Sequence, residues 1–363
     1  MMWDGKGEMG MRKMTPFRIA VTYAGCFLGA GYVSGQELLQ FFGNYGLHGL
    51  WGLFAALVMQ VLFGMLLLLL AQKTKICRMD RLIVPWEIPW LRSVMGVGAG
   101  LFLFTVCVSM TAAFGAMLEQ LLHIPTIVGG VVMIVTVTLV ALLGLEGMVG
   151  AFSLSVPALV LAAVAVTAAV AVRGGMPAWT AGEPAYRFPG GWLLSAATFV
   201  SFNVFGAIPI LAPTGQFIPG KKTVLAGVTA ACLALLFIAA GLLTCMHAVP
   251  EAREAELPML AVATSLAPWC GAVYAVLLFA GMFGTSLSSL VALVTYIGQR
   301  IRPLEKRRIP VTAVLAAAVL LASRIGFSRV VGTVYPAFGY FGFAAMVCVV
   351  LHAGKTRKNR PTA

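Results

Sequence analysis

The sequence predicts an all-α integral membrane protein with ten transmembrane helices, arranged as a 5+5 inverted repeat. Apolar residues make up 60% of the 363-residue chain and charged residues 10%, whereas soluble domains carry roughly 25% charged residues. The apolar residues fall in runs of about 20, the length that crosses a bilayer. A break rich in glycine and proline, 173–190, separates the fifth and sixth runs. Because five is an odd number of crossings, the second half enters the membrane from the opposite face.

The ten spans are expected where the apolar runs reach the length of a crossing. They lie at 16–42, 47–72, 92–122, 124–145, 148–172, 191–217, 222–248, 268–299, 309–325 and 331–352. The chain is then divided into a cytoplasmic tail, a five-helix repeat, an extracellular connection, an inverted five-helix repeat and a second cytoplasmic tail, at 1–15, 16–172, 173–190, 191–352 and 353–363.

Basic residues predict the orientation, because short cytoplasmic loops are enriched in lysine and arginine. With a cytoplasmic N-terminus, the only lysines and arginines of the 25 that fall outside are Arg173, Arg187, Arg253, Arg324 and Arg329. We therefore expect a multi-pass protein of the inner (cytoplasmic) membrane with both termini in the cytoplasm. The net charge of +13 comes from short clusters between apolar runs. The lipid bilayer, and no nucleic acid, is thus the expected partner.

The cysteines and histidines predict no metal or redox site. The seven cysteines contain no C-x-x-C pair and lie mostly within apolar spans, so we expect them to pack as small apolar residues. The four histidines lie at span edges, which argues against a metal cluster or a buried catalytic base.

The stretch LGAGYVSGQELLQFF, Leu28 to Phe42, indicates an interruption in the first span. Gly29 and Gly31 allow an unwound turn whose carbonyls face a cavity instead of lipid. Ser34 and Glu37 fit the S-x-x-E capping box, so a second half-helix is expected to start at Ser34. Such a break offers carbonyls to a cation and free N–H groups to an anion. A hinge or a close helix-packing patch is the alternative.

The sixth span carries a second predicted break. It contains SFNVFGAIPILAP, in which Gly206, Pro209 and Pro213 disturb the helical pattern near mid-membrane. The first helix of each half therefore shares the same irregularity, and paired interruptions at equivalent positions of inverted halves point to a transporter binding site. We expect discontinuous helices 1 and 6 that face each other.

The run from Gly25 to Gly35 followed by Gln36-Glu37, with a second broken helix five spans later, resembles the first helix of LeuT-fold transporters (the amino acid–polyamine–cation and neurotransmitter:sodium symporter-like superfamily). Within that superfamily, GAGYVSGQELLQFF is similar to the YkvI-type bacterial membrane proteins. The resemblance implies helices 1 and 6 carrying the substrate, and alternating access. The candidate substrate-binding residues are Gly29, Gly31, Tyr32, Ser34, Ser109, Ser201, Asn203 and Gly206, with Thr111 and Phe205 nearby.

The same resemblance implies a sodium ion between the first and eighth helices. Its candidate ligands are the carbonyls of Gly25 and Leu28 and the hydroxyls of Thr285 and Ser286. Ser288 and Ser289 form a second candidate pair one turn further on. Alternatively, these hydroxyls bond their own helix or a neighbouring one. Tyr32 replaces an asparagine found in many amino acid symporters, so a second sodium site is not implied. No cofactor is expected apart from a bound Na⁺.

Glu37 has two interpretations. It either completes the capping box, or it also carries a proton or closes an outer gate against Arg324 or Arg329. The sequence leaves both open.

These features predict a secondary active transporter: a symporter, coupled to Na⁺ or H⁺, of amino acids or similar small solutes. The alternative is a non-transporting membrane receptor on the same fold, because fold alone does not determine function. An enzyme is not expected, since Ser34 has no histidine at membrane depth to act as its base. A channel is disfavoured by the lack of a repeated filter. The charge-poor walls expected for the pocket argue against a strongly cationic or polyanionic substrate.

Overall fold

The computed structural model describes residues 14–76, 79–84, 86–143, 148–174, 177–183, 186–305 and 307–358. These residues are almost entirely helical, and one isolated antiparallel bridge joins Tyr45 to Ala181. The predicted all-α class is confirmed. The outermost parts of both predicted tails, and Cys77, lie outside the described residues.

The helices of the first half correspond to the predicted spans, with the first span divided into short pieces. They are α1 (Pro16–Phe27), α2 (Ala30–Val33), α3 (Gln36–Leu38), α4 (His48–Thr74), α5 (Met79–Ile83), α6 (Pro89–Leu122), α7 (Thr126–Leu143) and α8 (Met148–Val172). A π-helical turn, Leu39–Gly43, continues α3.

The second half contains four long helices and several short ones. They are α9 (Gly191–Thr214), α10 (Lys221–Ala248), α11 (Pro258–Leu266), α12 (Pro268–Arg300), α13 (Arg302–Glu305), α14 (Arg308–Ser323), α15 (Phe327–Arg329) and α16 (Tyr335–Lys358). A π-helical turn, Val330–Val334, joins α15 to α16.

Six helical segments of the described chain are long and apolar enough to cross a membrane: α4, α6, α9, α10, α12 and the segment formed by α15 and α16. Shorter apolar helices lie at Thr126–Leu142, Val160–Val172 and Arg308–Ser323. The structure thus has the helices of a multispanning protein, and the count of ten crossings stays a prediction.

The first span is interrupted twice. Helix α1 begins at Pro16, where Thr15 Oγ1 accepts a hydrogen bond from the N–H of Arg18 (3.3 Å), and it ends at Phe27. The second interruption lies at Gly35, whose φ of +86° is in the left-handed region. Glycine adopts this conformation without the steric cost that a Cβ imposes.

The sixth span is a single helix, and the prediction that it is discontinuous is wrong. Helix α9 runs without a break through Gly206 and Pro209. A proline removes one backbone hydrogen bond, but close packing in a membrane helix can compensate for that loss. Gly206 has a packing role, since a Cβ there would lie 2.5 Å from Cε1 of Phe102.

Helix α1 packs along α10 and reaches α4 through one side chain. A Cβ at Gly227 of α10 would lie 2.6 Å from Cβ of Ile19, so the two backbones approach closely there. One turn further along α1, the hydroxyl of Tyr23 donates to the carbonyl of Gln60 in α4 (2.8 Å). Close backbone approach and hydrogen bonds between helices replace the hydrophobic driving force that lipid removes.

The connection between the two predicted repeats is attached to both halves. The N–H of Ala178 donates to His247 O at the end of α10 (3.0 Å), and the N–H of Gly182 donates to Asn44 O (3.0 Å). The division of the chain into repeats at this connection stays a prediction.

The positive φ of Gly35 predicts a stability effect. In Gly35→Ala the new Cβ is strained by the backbone conformation and meets Met246 Sδ at 2.7 Å, so we expect a loss of about 1–3 kcal/mol. The thermal unfolding midpoint of the detergent-solubilised protein measures it. Gly130→Ala is the control, because its Cβ would meet Leu320 at an ordinary 3.4 Å. Equal midpoints for the two variants would contradict the assigned strain.

Candidate functional site

A cavity of about 510 Å³ adjoins the interrupted first span. Its walls come from α1, the interrupted segment, α6, α9, α12 and the start of α16. The polar side chains among its lining residues are Thr22, Glu37, Asn203, Thr285, Ser288, Ser289 and Tyr335. Five predicted spans, the first, third, sixth, eighth and tenth, thus converge on one space, which we call the central cavity.

The first interruption exposes backbone to the central cavity. The N–H of Gly29 donates to Phe27 O (2.8 Å), so the Gly25 carbonyl loses the partner that an unbroken helix would supply. Gly25 and Gly29 both line the cavity, whereas Leu28 does not. One of the two predicted carbonyl ligands for a cation therefore lies at the cavity wall.

The second interruption is closed by the protein itself. The hydroxyl of Tyr274 in α12 donates to Val33 O (2.7 Å), and the N–H of Met259 in α11 donates to Ser34 O (2.9 Å). Buried backbone carbonyls at membrane depth need such partners. This break is consequently a fixed joint between the first span and helices α11 and α12.

The predicted capping box does not form. The Ser34 hydroxyl donates to Gly31 O (3.0 Å) and accepts from the N–H of Gln36 (3.4 Å), while Gly35 is the residue that caps α3. The left-handed conformation of Gly35 starts the helix one residue later than predicted. Glu37 then lies at the second helical position, where the reciprocal bond to Ser34 is not made.

The Glu37 side chain faces the central cavity. It is only 6% exposed, and its carboxylate forms no hydrogen bond or ion pair with any other described residue. The carboxylate occupies the space that the missing side chain of Gly31 leaves, because a Cβ there would overlap Glu37 Oε1. Arg324 and Arg329 are exposed, so the predicted outer gate contact with Glu37 is absent from the described structure.

Helix α12 presents three hydroxyls to the cavity. Thr285, Ser288 and Ser289 line it, since residues three and four apart share a helix face. Ser286 is fully buried, does not line the cavity, and its hydroxyl has no hydrogen-bond partner among the described residues. The adjacent pair Thr285-Ser286 is therefore not brought together, and Thr285 joins the second candidate pair instead.

The predicted substrate-binding residues separate into two groups. Gly29, Gly31, Asn203 and Gly206 line the central cavity, and Tyr32, Ser34, Ser109 and Ser201 do not. Tyr32 and Ser201 instead form hydrogen bonds between helices, and Ser109 is enclosed. The Tyr32 hydroxyl donates to Leu235 O in α10 (2.7 Å), the Ser201 hydroxyl donates to Gly339 O in α16, and Ser109 is fully buried.

Aromatic side chains form walls that the sequence did not indicate. Phe102, Phe202 and Tyr335 line the cavity, with ring centroids 5.1 Å apart for Phe202–Tyr335 and 6.5 Å apart for Phe102–Tyr335. They come from three helices distant in sequence. Tyr335 directly follows a π-helical turn, an irregularity common at functional sites, but this turn is visible only in the structure.

Buried aromatic rings pack around Phe202, which is one of the residues that line the central cavity. Phe41 lies 5.7 Å from Phe188, 5.6 Å from Phe199 and 5.4 Å from Phe202, measured between ring centroids, and Phe42 lies 4.9 Å from Phe199. We call these five residues the phenylalanine cluster. All five side chains are buried.

The helices are arranged as in LeuT-fold transporters. The protein superposes on Mhp1 in an inward-facing conformation with a TM-score of 0.69 at 14% identity, over 96% of this chain and 79% of the other. MhsT in complex with L-phenylalanine superposes with a TM-score of 0.62 at 16% identity, over 95% of this chain and 88% of MhsT. A Na⁺-coupled sialic acid symporter superposes with a TM-score of 0.61 at 12% identity, over 96% of this chain and 91% of the symporter. The LeuT-like fold is therefore confirmed.

A relative over nearly the whole chain is YkvI, an uncharacterised membrane protein of Bacillus subtilis. It is 23% identical over 347 residues, which cover 94% of this chain and 97% of YkvI. The resemblance to YkvI-type bacterial membrane proteins is thereby confirmed. No protein-family model matches the chain.

The joint at the second interruption predicts a stability effect. Tyr274→Phe leaves the buried Val33 carbonyl without its donor, so we expect a loss of about 1–3 kcal/mol, measured as a lower thermal unfolding midpoint. Tyr340→Phe is the control, because its hydroxyl contacts Tyr186 (3.4 Å) at an exposed position. If both variants lower the midpoint equally, Tyr274 does not hold the joint.

Proposed function

We propose that this protein is a secondary active transporter that moves a small solute, amino acid-like in size, together with a cation by alternating access. The observation that carries the proposal is the central cavity, where an unpaired carbonyl, three hydroxyls and a buried carboxylate meet at a broken helix. Irregular backbone at membrane depth is tolerated where it lines a cavity, and it marks transporter binding sites. The transporter structures that the chain resembles support the same interpretation.

The cation site is proposed at Gly25 O and the hydroxyls of Thr285, Ser288 and Ser289. Carbonyl and hydroxyl oxygens can replace the hydration shell of a sodium ion without supplying a full charge. Na⁺ is favoured over H⁺ as the coupling ion, since these oxygens do not titrate. The sialic acid symporter that the chain resembles is described as Na⁺-coupled.

The structure is interpreted as an inward-facing state of a protein with ten crossings and cytoplasmic termini. Under that orientation, Thr22 of α1, Ile210 of α9 and Ala292 of α12 lie toward the cytoplasm, and all three line the cavity. The phenylalanine cluster then forms the outer seal. The match to Mhp1 in its inward-facing conformation supports this interpretation.

Transport is tested by uptake into proteoliposomes under an inward sodium gradient, with amino acids and amines supplied singly and current recorded on a solid-supported membrane. We expect an amino-acid-dependent inward current that vanishes when potassium replaces sodium. Protein-free liposomes are the control. Ligand binding without current for any solute would favour the non-transporting receptor instead.

The hydroxyls of α12 predict how sodium dependence responds to substitution. Combining Thr285→Val with Ser289→Ala removes two oxygens and keeps the side-chain volumes similar, so the sodium concentration for half-maximal uptake should rise about tenfold or more. Ser286→Ala is the matched control, since that hydroxyl lies outside the cavity. A larger effect from Ser286→Ala than from the double variant would sink the proposed cation site.

A further inference from the structure

We propose that Glu37 binds a protonated amine of the solute, and that solute and coupled ion together bring a net positive charge into the central cavity. This inference rests on the proposed function and names the substrate class of that site. The chemistry is that of a primary ammonium group, which donates up to three hydrogen bonds to a carboxylate and neighbouring oxygens.

The first argument is that the Glu37 carboxylate lacks a partner. The residue is only 6% exposed, and its carboxylate forms no hydrogen bond or ion pair with another described residue. An ionised carboxylate removed from water without compensation is unfavourable by several kcal/mol. The described residues that line the cavity include no lysine, arginine or histidine, so the charge of an ionised Glu37 is compensated only by a cation that enters the cavity or by a proton on the carboxylate itself.

The second argument is that the backbone directs the carboxylate into the cavity. Glu37 Oε1 occupies the space that a Cβ of Gly31 would fill, and both residues line the cavity. A carboxylate that served only as a helix cap would bond to backbone N–H groups at its own helix end. Here it turns away from them, toward the space that the solute would occupy.

The third argument is the aromatic composition of the cavity walls. Phe102, Phe202 and Tyr335 supply aromatic faces, which attract a cation within about 6 Å and also pack against an apolar side chain. A monocation bound without sodium gives a neutral filled cavity with ionised Glu37, whereas a zwitterion does so only if a sodium ion binds with it. A monoanion leaves a buried net negative charge even with one sodium ion bound. A single positive charge remains compatible with the expectation from the sequence that the pocket walls argue against a strongly cationic or polyanionic substrate.

A proton on Glu37 would also neutralise the site. This alternative predicts a different effect of Glu37→Gln on amine binding. If Glu37 only carries a proton, the isosteric amide of Glu37→Gln mimics the protonated state, and amine binding should survive. If Glu37 is the amine's partner, the same variant loses the charge-assisted hydrogen bond and amine affinity falls.

The test uses three probes that share a phenyl ring and differ in charge: phenethylamine, L-phenylalanine and 3-phenylpropanoate. Binding to the full chain in lipid nanodiscs is measured by calorimetry, with and without sodium. We expect phenethylamine to bind without sodium, L-phenylalanine to bind more tightly with sodium, and 3-phenylpropanoate not to bind. Glu37→Gln should weaken phenethylamine binding about tenfold or more. Glu119→Gln, an exposed carboxylate on α6, should not change it.

A second variant tests the direction of the carboxylate. Gly31→Ala keeps the charge of Glu37 but displaces it, so phenethylamine binding should again weaken. Gly354→Ala is its control, because a Cβ there meets no atom within 4 Å. Unfolding midpoints without probe identify a variant that fails to fold, and in that case Glu37→Gln alone decides.

Three results would overturn the proposal: 3-phenylpropanoate binding as tightly as phenethylamine, unchanged phenethylamine affinity in Glu37→Gln, or no amine binding to the folded protein. The same experiments distinguish failure of this proposal from failure of the proposed transport function. Phenethylamine binding with no uptake of any solute would refute transport and support the assignment of Glu37. Uptake of anionic solutes alone would support transport and refute the assignment.

Discussion

The structure depends on one constraint: inside a bilayer every backbone N–H and C=O needs a partner. The helix of the first span is interrupted twice, and the backbone groups freed at the two interruptions are treated differently. At the second break, Tyr274 and Met259 supply donors to Val33 and Ser34, so the chain is fixed to α11 and α12. At the first break, the Gly25 carbonyl keeps no helical partner and lies at the central cavity. One break is therefore structural, and the other is available to a ligand.

Much of this organisation could be predicted from the sequence because membrane length and charge asymmetry are local signals. The spans and the broken first helix follow from apolar run length and from glycines at consecutive turns. The continuous sixth helix could not be predicted, since Gly206 serves to admit the ring of Phe102, a contact between helices distant in sequence. For the same reason, the glycine and prolines of α9 indicated a break where tertiary packing preserves the helix.

The part of the candidate site that could be predicted is the part where residue spacing determines which side chains share a helix face. Thr285, Ser288 and Ser289 share one face by spacing alone, whereas the family resemblance indicated Thr285-Ser286, which point in different directions on a regular helix. Tyr32 was expected to be a substrate-binding residue. Its hydroxyl instead reaches Leu235 in α10, and no sequence pattern reports which side of an unwound turn a residue occupies.

The backbone conformation of Gly35 connects this irregularity to the chemistry. On an unbroken helix, Gly31 and Glu37 would lie about 9 Å apart along the axis and about 240° apart around it, so the carboxylate could not reach the glycine. The left-handed turn at Gly35 interrupts the helix between them, and Glu37 Oε1 then fills the space beside Gly31. A residue that reads as a capping glutamate in the sequence thereby becomes a buried carboxylate directed at the cavity. Gly35 and Glu37 consequently act together, because the left-handed conformation of the glycine determines the direction of the carboxylate.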